Sequence, residues 1–224
     1  MIDVDRPPEP PPSLARGTSW RGRDVHRALH EAFLGKCYLC EGTRPLGECQ
    51  IEHRRPRNKF PELCFEWANL YPACGRCNNA RPDYPNEGEL LNPGEGVETR
   101  IEQVVDYKKD PIQYEFKPLD SEDHAAEHTC RELRHLHNPK ASRSWVARQR
   151  TSTLLSAIRE RYHKDVYPVT CEVEQLRRGR RAGQAVAVPL ERAENQLRKL
   201  VSRRAPYTML IRSLVGPHLA DLFD

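Results

Sequence analysis

Long apolar runs are missing from this chain. A membrane-spanning helix needs roughly 20 consecutive apolar residues, and no stretch approaches that, so no membrane span is expected. Apolar content is also low: 38% of the 224 residues are hydrophobic and 30% are charged, the balance of a soluble polar protein. The length suffices for one sizeable domain or two small ones. The start of the chain lacks the apolar segment of a secretory signal; Met1 to Pro12 is acidic and proline-rich instead. A cytoplasmic location is therefore expected, and thiols stay reduced there. The eight cysteines are accordingly read first as metal ligands and second as disulfides. A Gly-x-x-x-x-Gly-Lys-Ser/Thr nucleotide loop is absent, as is any long internal repeat.

Charge is present but unevenly spread. The formal net charge of +4 says little. Residues 141–224, however, hold 16 Lys+Arg against 8 Asp+Glu, a net +8, which leaves a net −4 for residues 1–140. The basic C-terminal part could contact phosphates, and a solvated helical surface is the alternative.

Arg6-Pro-Pro-Glu-Pro-Pro-Pro12 reads as an extended, polyproline-like arm outside the core. It is either tethered, to a partner or to its own domain, or disordered. Val25, Leu29, Ala32 and Phe33 fall on one face of a helix over residues 22–34, and Gly35 follows as a stop. Residues 37–81 are rich in Cys, Pro and Arg, with short strand-like pieces that bury little apolar surface, so this stretch needs a staple. Residues 82–96, with Pro82, Pro85, Gly88, Pro93, Gly94 and Gly96, read as a linker. Helical spacing then dominates, in Leu154, Leu155, Ile158 and Tyr162 and again in Leu190, Ala193, Leu197, Leu200 and Val201. Arg177-Arg-Gly-Arg-Arg181 and Gly183 are expected to interrupt it as an exposed basic loop. The expected class is α+β. It comprises an N-terminal arm (1–20), a small zinc-stapled unit (21–93), and a mainly helical region (94–224) for docking or substrate contact.

Cys37-Tyr-Leu-Cys40 and Cys74-Gly-Arg-Cys77 are two Cys-x-x-Cys knuckles with 33 residues between them. Two thiolates at this spacing can grip one metal through a tight turn. Two such knuckles close a tetrahedral site with no open position, which suits structural Zn²⁺. Gly42 and Gly75 are expected to ease the turns. Redox dithiols are the alternative, and they would need a thioredoxin-like βαβ context. Cys49, Cys64, Cys130 and Cys171 have no partners at ligand spacing and are expected to be small core residues.

Between the knuckles stands Gln50-Ile-Glu-His-Arg-Arg-Pro56, and around the second stand Trp67-Ala-Asn-Leu-Tyr-Pro-Ala-Cys74 and Asn78-Asn-Ala-Arg81. Hydrolysing a phosphodiester takes a water made nucleophilic, a cation beside the phosphate and stabilisation of the leaving oxygen. Neutral imidazole accepts a proton near neutral pH. A carboxylate and an amide oxygen are hard ligands suited to Mg²⁺ or Mn²⁺.

The arrangement resembles the HNH, or ββα-metal, nuclease family: an acid-His-x-x-Pro strand, an Asn-Leu pair, and a Cys-x-x-Cys followed at once by His or Asn. Fifteen residues separate His53 from Asn69 and eight separate Asn69 from Asn78, in keeping with the family. The resemblance implies a general base at His53 and an acidic metal ligand at Glu52, where Asp is more usual. It also implies a bracing Asn69 that orients the base, and a metal ligand at Asn78 in place of the final His. Asn79 is the alternative ligand, and a helix cap the alternative role for Asn78. Arg81 falls where the family often has a basic residue. Arg54, Arg55, Arg57 and Lys59 are candidate phosphate contacts, or solvated loop charges.

A wider resemblance takes in Arg6-Pro-Pro, Phe60-Pro-Glu-Leu63, Leu90-Leu-Asn-Pro93, Leu133-Arg-His-Leu-His-Asn138 and Ala205-Pro-Tyr207. Together they resemble the HNH nuclease subunit of Septu-type and retron-associated anti-phage systems. That likeness implies a defence role and a neighbouring ABC-type ATPase as partner; the chain has no nucleotide loop of its own, so any nucleotide control must come from another protein. His124, His128, His135 and His137 lack ligand partners at fixed spacing and are expected at the surface. Two functions stay open: a metal-dependent nuclease, with DNA favoured over RNA as substrate, and a zinc-stapled binding module without catalysis.

Overall fold

The computed structural model describes residues 1–80, 90–106, 113–138 and 145–224. The apolar spacing at 22–34 forms α2 (Arg23–Ala32). Val25, Leu29, Ala32 and the following Phe33 are all buried on one side, as the period of 3.6 demands. Leu34 and Gly35 both take left-handed backbone, with φ of 55° and 70°, and stop the helix. Ahead of it, Pro12–Ala15 makes one helical turn, α1. The Asp24 carboxylate accepts from the Ser13 backbone N–H at 2.7 Å and ties that turn to α2.

The proline-rich arm is tethered to its own body. Met1, Ile2 and Leu14 are buried, so the arm's flanks belong to the core. The Arg6 guanidinium sits among the rings of Phe33, Trp67 and Tyr71, with centroids at 5.2, 4.7 and 4.5 Å. It donates to the carbonyls of Trp67 and Leu70. Burial lowers its pKa from the usual arginine value, and the ring faces and carbonyls supply the negative potential that lost water would have given.

β1 (Cys49–His53) pairs antiparallel with β2 (Leu70–Cys74), with Cys49 opposite Cys74 and His53 opposite Leu70. Every residue of β2 is buried, because α2 and the Phe33 and Tyr38 rings pack against Tyr71. The short helix α3 (Gly75–Ala80) follows β2 without a linker.

A second hairpin joins β3 (Ile101–Asp106) to β4 (Gln113–Pro118). Its alternating residues Ile101, Gln103, Val105, Tyr114 and Phe116 are buried, against α4 (His124–His137) on β4 and α8 (Thr208–Val215) on β3. α5 (Trp145–Arg161) runs through a π-helical turn, Tyr162–Val166, into α6 (Tyr167–Arg181). Pro168 accounts for the wide turn, since it has no N–H to give and its ring would crowd a regular preceding turn. α7 (Ala187–Leu200) folds back on α6 and buries Leu190, Ala193 and Leu197. One apolar cluster extends from Met1 through Leu70 and Phe116 to Leu222. Among the described residues no helix is long and apolar enough to cross a membrane.

Several local expectations are corrected. The basic run 177–181 is the last turn of α6, not a loop. Arg177 donates to Glu194 at 2.8 Å and to Asp221 at 2.6 Å, which offsets its charge within the helix pair. Of the stretch 82–96, residues 90–96 are described and hold no helix or strand, as expected of a loop, yet Leu90 and Leu91 in it are core residues. Cys171 is exposed, Cys49 and Cys64 are half-buried, and only Cys130 of that set is fully buried.

His124 is exposed and His135 half-buried, but His128 and His137 are buried, because α4 turns them onto its packed side. The His137 Nδ1–H donates to the Leu133 carbonyl at 2.8 Å, and the ring lies 5.0 Å from Phe116. Burial pushes its pKa down to about 3, against about 6.5 for an unfolded histidine. Between those values the unfolded chain holds the extra proton, so stability is full above pH 6.5 and falls as pH drops towards 3. Denaturant unfolding should lose about 2–3 kcal/mol from this group between pH 6.5 and 4.5. His137→Asn should flatten that part of the profile; an unchanged slope would remove His137 as its cause.

Candidate metal centre and active site

The first knuckle is a tight turn. Lys36 bridges Thr43, and the Cys37 N–H donates to the Gly42 carbonyl at 3.1 Å. The left-handed residue is Glu41, with φ of 58°, rather than a glycine. Gly42 serves close approach instead: a Cβ there would stand 3.3 Å from the Tyr207 ring and 3.5 Å from the Cys40 sulfur. The second knuckle spans the end of β2 and the start of α3, so the β1–β2 register delivers Cys74 and Cys77 to Cys37 and Cys40.

The four sulfurs are buried and lie within 4.8 Å of one another, with Cys40 and Cys74 3.9 Å apart. A tetrahedral zinc with Zn–S bonds of about 2.3 Å separates its sulfurs by about 3.8 Å, so the donor set and spacing fit Zn²⁺. None of the four is in a disulfide. Among the described residues both sheets are two-stranded and antiparallel, which is not the βαβ setting of a redox dithiol.

Electrostatics agree with that fit. Hydrogen bonds from Cys37, Cys40 and Cys77 hold Cys74 far below the usual thiol value. A hydrogen bond from Cys37 helps bring Cys40 down to about 7. Burial pushes Cys37 up, and hydrogen bonds with the other thiols push Cys77 up. Four packed thiols cannot all ionise beside one another without a cation. Arg76 donates to the Cys77 sulfur at 3.3 Å. Burial acts to lower the pKa of Arg76 and Arg44, but the surrounding thiolates outweigh it and raise both. These two arginines can offset the excess negative charge of a tetrathiolate site.

His53 ends β1 and is buried, at 9% exposure. Its Nε2–H donates to the Cys64 carbonyl at 3.1 Å, which leaves the Nδ1 lone pair as the proton acceptor. The Trp20 ring meets the imidazole edge-on at a centroid distance of 4.7 Å. Burial lowers the His53 pKa. The Cys64 hydrogen bond opposes that, and the charges of Arg57 and Arg21 add to it. The imidazole is therefore neutral at neutral pH.

Asn69 is buried and braces the loop that carries Cys64. Its Oδ1 accepts from the Arg55 N–H at 2.7 Å, and its Nδ2 donates to the carbonyls of Arg55 and Leu63 at 3.1 and 3.2 Å. The Asn69 carbonyl also accepts from the Arg54 N–H at 2.9 Å. This side chain thus fixes both sides of the loop whose carbonyl orients His53. Its contacts are those of a positioning residue.

Glu52 is buried at 8% exposure, opposite Tyr71 in the ladder. Gln50 and Glu52 are two residues apart and share a strand face. Asn78 on α3 donates from Nδ2 to the Gln50 Oε1 at 2.6 Å, so it reaches the face that Glu52 occupies. Asn79 is exposed.

The arginines divide. Arg54 donates to the Leu90 carbonyl at 3.0 Å, and Arg55 lies over the Phe60 ring at 5.6 Å. Arg57 and Lys59 are exposed, Arg57 standing 5.4 Å from the Trp20 ring. Arg81 lies outside the described residues. Sequence reasoning passed over Gln50, which the two-residue strand period could have signalled. It also passed over Trp20, Arg21, Arg44 and Arg76, for which no local pattern gives a signal.

A short β-hairpin and helix around a four-cysteine cluster that could hold a metal ion define the class of this unit, to which the N-terminal arm and the helical region are joined. Among curated proteins, the chain is similar to the Septu protein PtuB of Bacillus thuringiensis, 34% identical over 86 residues. The match takes in 36% of this chain and spans about a third, 33%, of that relative's length. No family model and no solved structure matches.

Proposed function

We propose that this chain is a metal-dependent HNH endonuclease that hydrolyses phosphodiester bonds in nucleic acid, with DNA as the favoured substrate. The observation that carries the reading is His53. Its Nε2 is committed to a backbone carbonyl and its Nδ1 is left as a base, next to a buried carboxylate at Glu52 on β1, whose partner strand β2 runs into α3 through two of the four clustered cysteines, Cys74 and Cys77.

The roles follow from that placement. His53 Nδ1 accepts a proton from water as the water oxygen attacks phosphorus and the bond to the leaving oxygen breaks. Glu52 and the Asn78 amide oxygen are the hard donors that would hold Mg²⁺ or Mn²⁺. Such an ion, when bound, supplies positive charge at the phosphate and the leaving oxygen. Asn69 holds the loop, and hence the imidazole, in register. Cys37, Cys40, Cys74 and Cys77 would hold the structural zinc. Similarity to a Septu protein supports a role in anti-phage defence, which on this reading is exercised in the cytoplasm. It also supports a partner protein; on this reading the partner is an ABC-type ATPase that docks on residues 94–224, and residues 21–93 form the nuclease unit.

The test is a cleavage assay on the full chain, alone and with its ATPase partner. Duplex DNA, single-stranded DNA and RNA are compared in Mg²⁺, in Mn²⁺ and without added divalent metal. Metal-dependent strand scission, greatest on DNA, is expected. A zinc-loaded protein that binds these strands and cuts none of them is a binding module.

A further inference from the structure

We propose that Trp20 is the pivot of a phosphate clamp at the active site, setting Arg21 and Arg57 beside His53 to grip the strand being cut. The inference rests on the nuclease reading and names substrate-binding groups for it.

Trp20 comes from the segment between α1 and α2, remote in sequence from the β1–β2 unit. Its half-buried indole meets the His53 imidazole at 4.7 Å. The same indole carries the Arg21 guanidinium at 4.3 Å and the Arg57 guanidinium at 5.4 Å. Both arginines are exposed, and neither has a carboxylate partner among the described residues. Two cations gathered on one ring repel each other unless an anion lies between them. A general base must sit within hydrogen-bond reach of the attacking water, which places the reacting phosphate close to His53.

The chemistry suits a phosphodiester. A guanidinium presents a planar fork that matches two phosphate oxygens. Resting on an indole face, it is held in place before the ligand arrives, so less freedom is lost on binding. Arg54 and Arg55 are directed at the Leu90 carbonyl and the Phe60 ring, so the clamp narrows the phosphate contacts of this loop to Arg57 and adds Arg21. Trp20 acts through its neighbours and is a positioning residue.

The experiment measures binding by the full chain to a fluorescein-labelled DNA duplex and to an RNA strand of the same sequence. Divalent metal is omitted so that strands are held and not cut, and salt is varied. Arg21→Gln and Arg57→Gln should each weaken binding roughly tenfold and flatten the slope of log affinity against log salt by about 1. Trp20→Ala removes no charge, yet should also flatten the slope; Trp20→Phe should restore it. Wild-type affinity and slope in both arginine variants overturn the clamp, as does a wild-type chain that binds neither strand. With Mg²⁺ restored, a wild type that shows these slope changes but never cuts keeps the clamp and sinks the nuclease reading. A wild type that cuts, with Arg21→Gln and Arg57→Gln unchanged in slope, does the reverse.

Discussion

Cys74→Ser, or Cys37→Ser, should lower the yield of folded protein sharply and remove bound zinc. The unit around the site cannot hold itself together by packing alone. Its strands have five residues each and α3 has six, well below the length at which isolated hairpins or helices persist in water. Folding and metal binding are one process in such units, and structural zinc contributes about 10–16 kcal/mol to the folding of small zinc-finger peptides. Part of that is replaced here, because Tyr71, Phe33 and Tyr38 also anchor β2 to α2. A loss above about 3 kcal/mol is therefore expected rather than the whole amount. Serine offers a harder and far less acidic donor than the Cys74 thiol, which its neighbours hold well below the ordinary value. Zinc content by elemental analysis and thermal unfolding give the two readouts. A strong chelator should reproduce the variant's effect on the native protein. A variant that melts like the native protein, from a native protein that carries no zinc, would count against the staple.

His53→Ala should abolish detectable cleavage, with a rate loss of about 10²–10⁴-fold, the range expected when a general base is removed. The ring makes one hydrogen bond, to the Cys64 carbonyl, and one ring contact, to Trp20. The loop that carries Cys64 is independently secured by Asn69, so removing the imidazole should leave the loop and the cysteine cluster in place. Zinc content, melting temperature and partner binding should stay near those of the native chain while cleavage disappears. That separation distinguishes a lost base from a damaged fold. Cleavage at the native rate by His53→Ala would overturn the assignment of the base, whatever the clamp experiments show.

The sequence by itself determined the features whose signal is local. The Cys-x-x-Cys spacing identifies four thiols able to share one metal, and the structure brings all four within reach. Val25, Leu29 and Ala32 mark α2, and Leu190, Ala193 and Leu197 mark α7, since a helix writes its buried face into every third or fourth residue. The sequence also named Glu52, His53, Asn69 and Asn78 as candidates. Which way each side chain points came only from the tertiary structure. The Nε2 bond to Cys64, the clasp of Asn69 on Arg55 and Leu63, and the bond from Asn78 to Gln50 join residues 6 to 28 apart. Trp20 meets His53, and Arg6 reaches the carbonyls of Trp67 and Leu70, across still longer separations. The same limit explains the two buried histidines of α4 and the basic run that proved to be helix. A residue's type states what it can bond to, while burial and partner depend on which distant segment packs over it. Composition kept Arg177 in a loop; Glu194 and Asp221, brought up by α7 and the C-terminal turn, hold it in a helix.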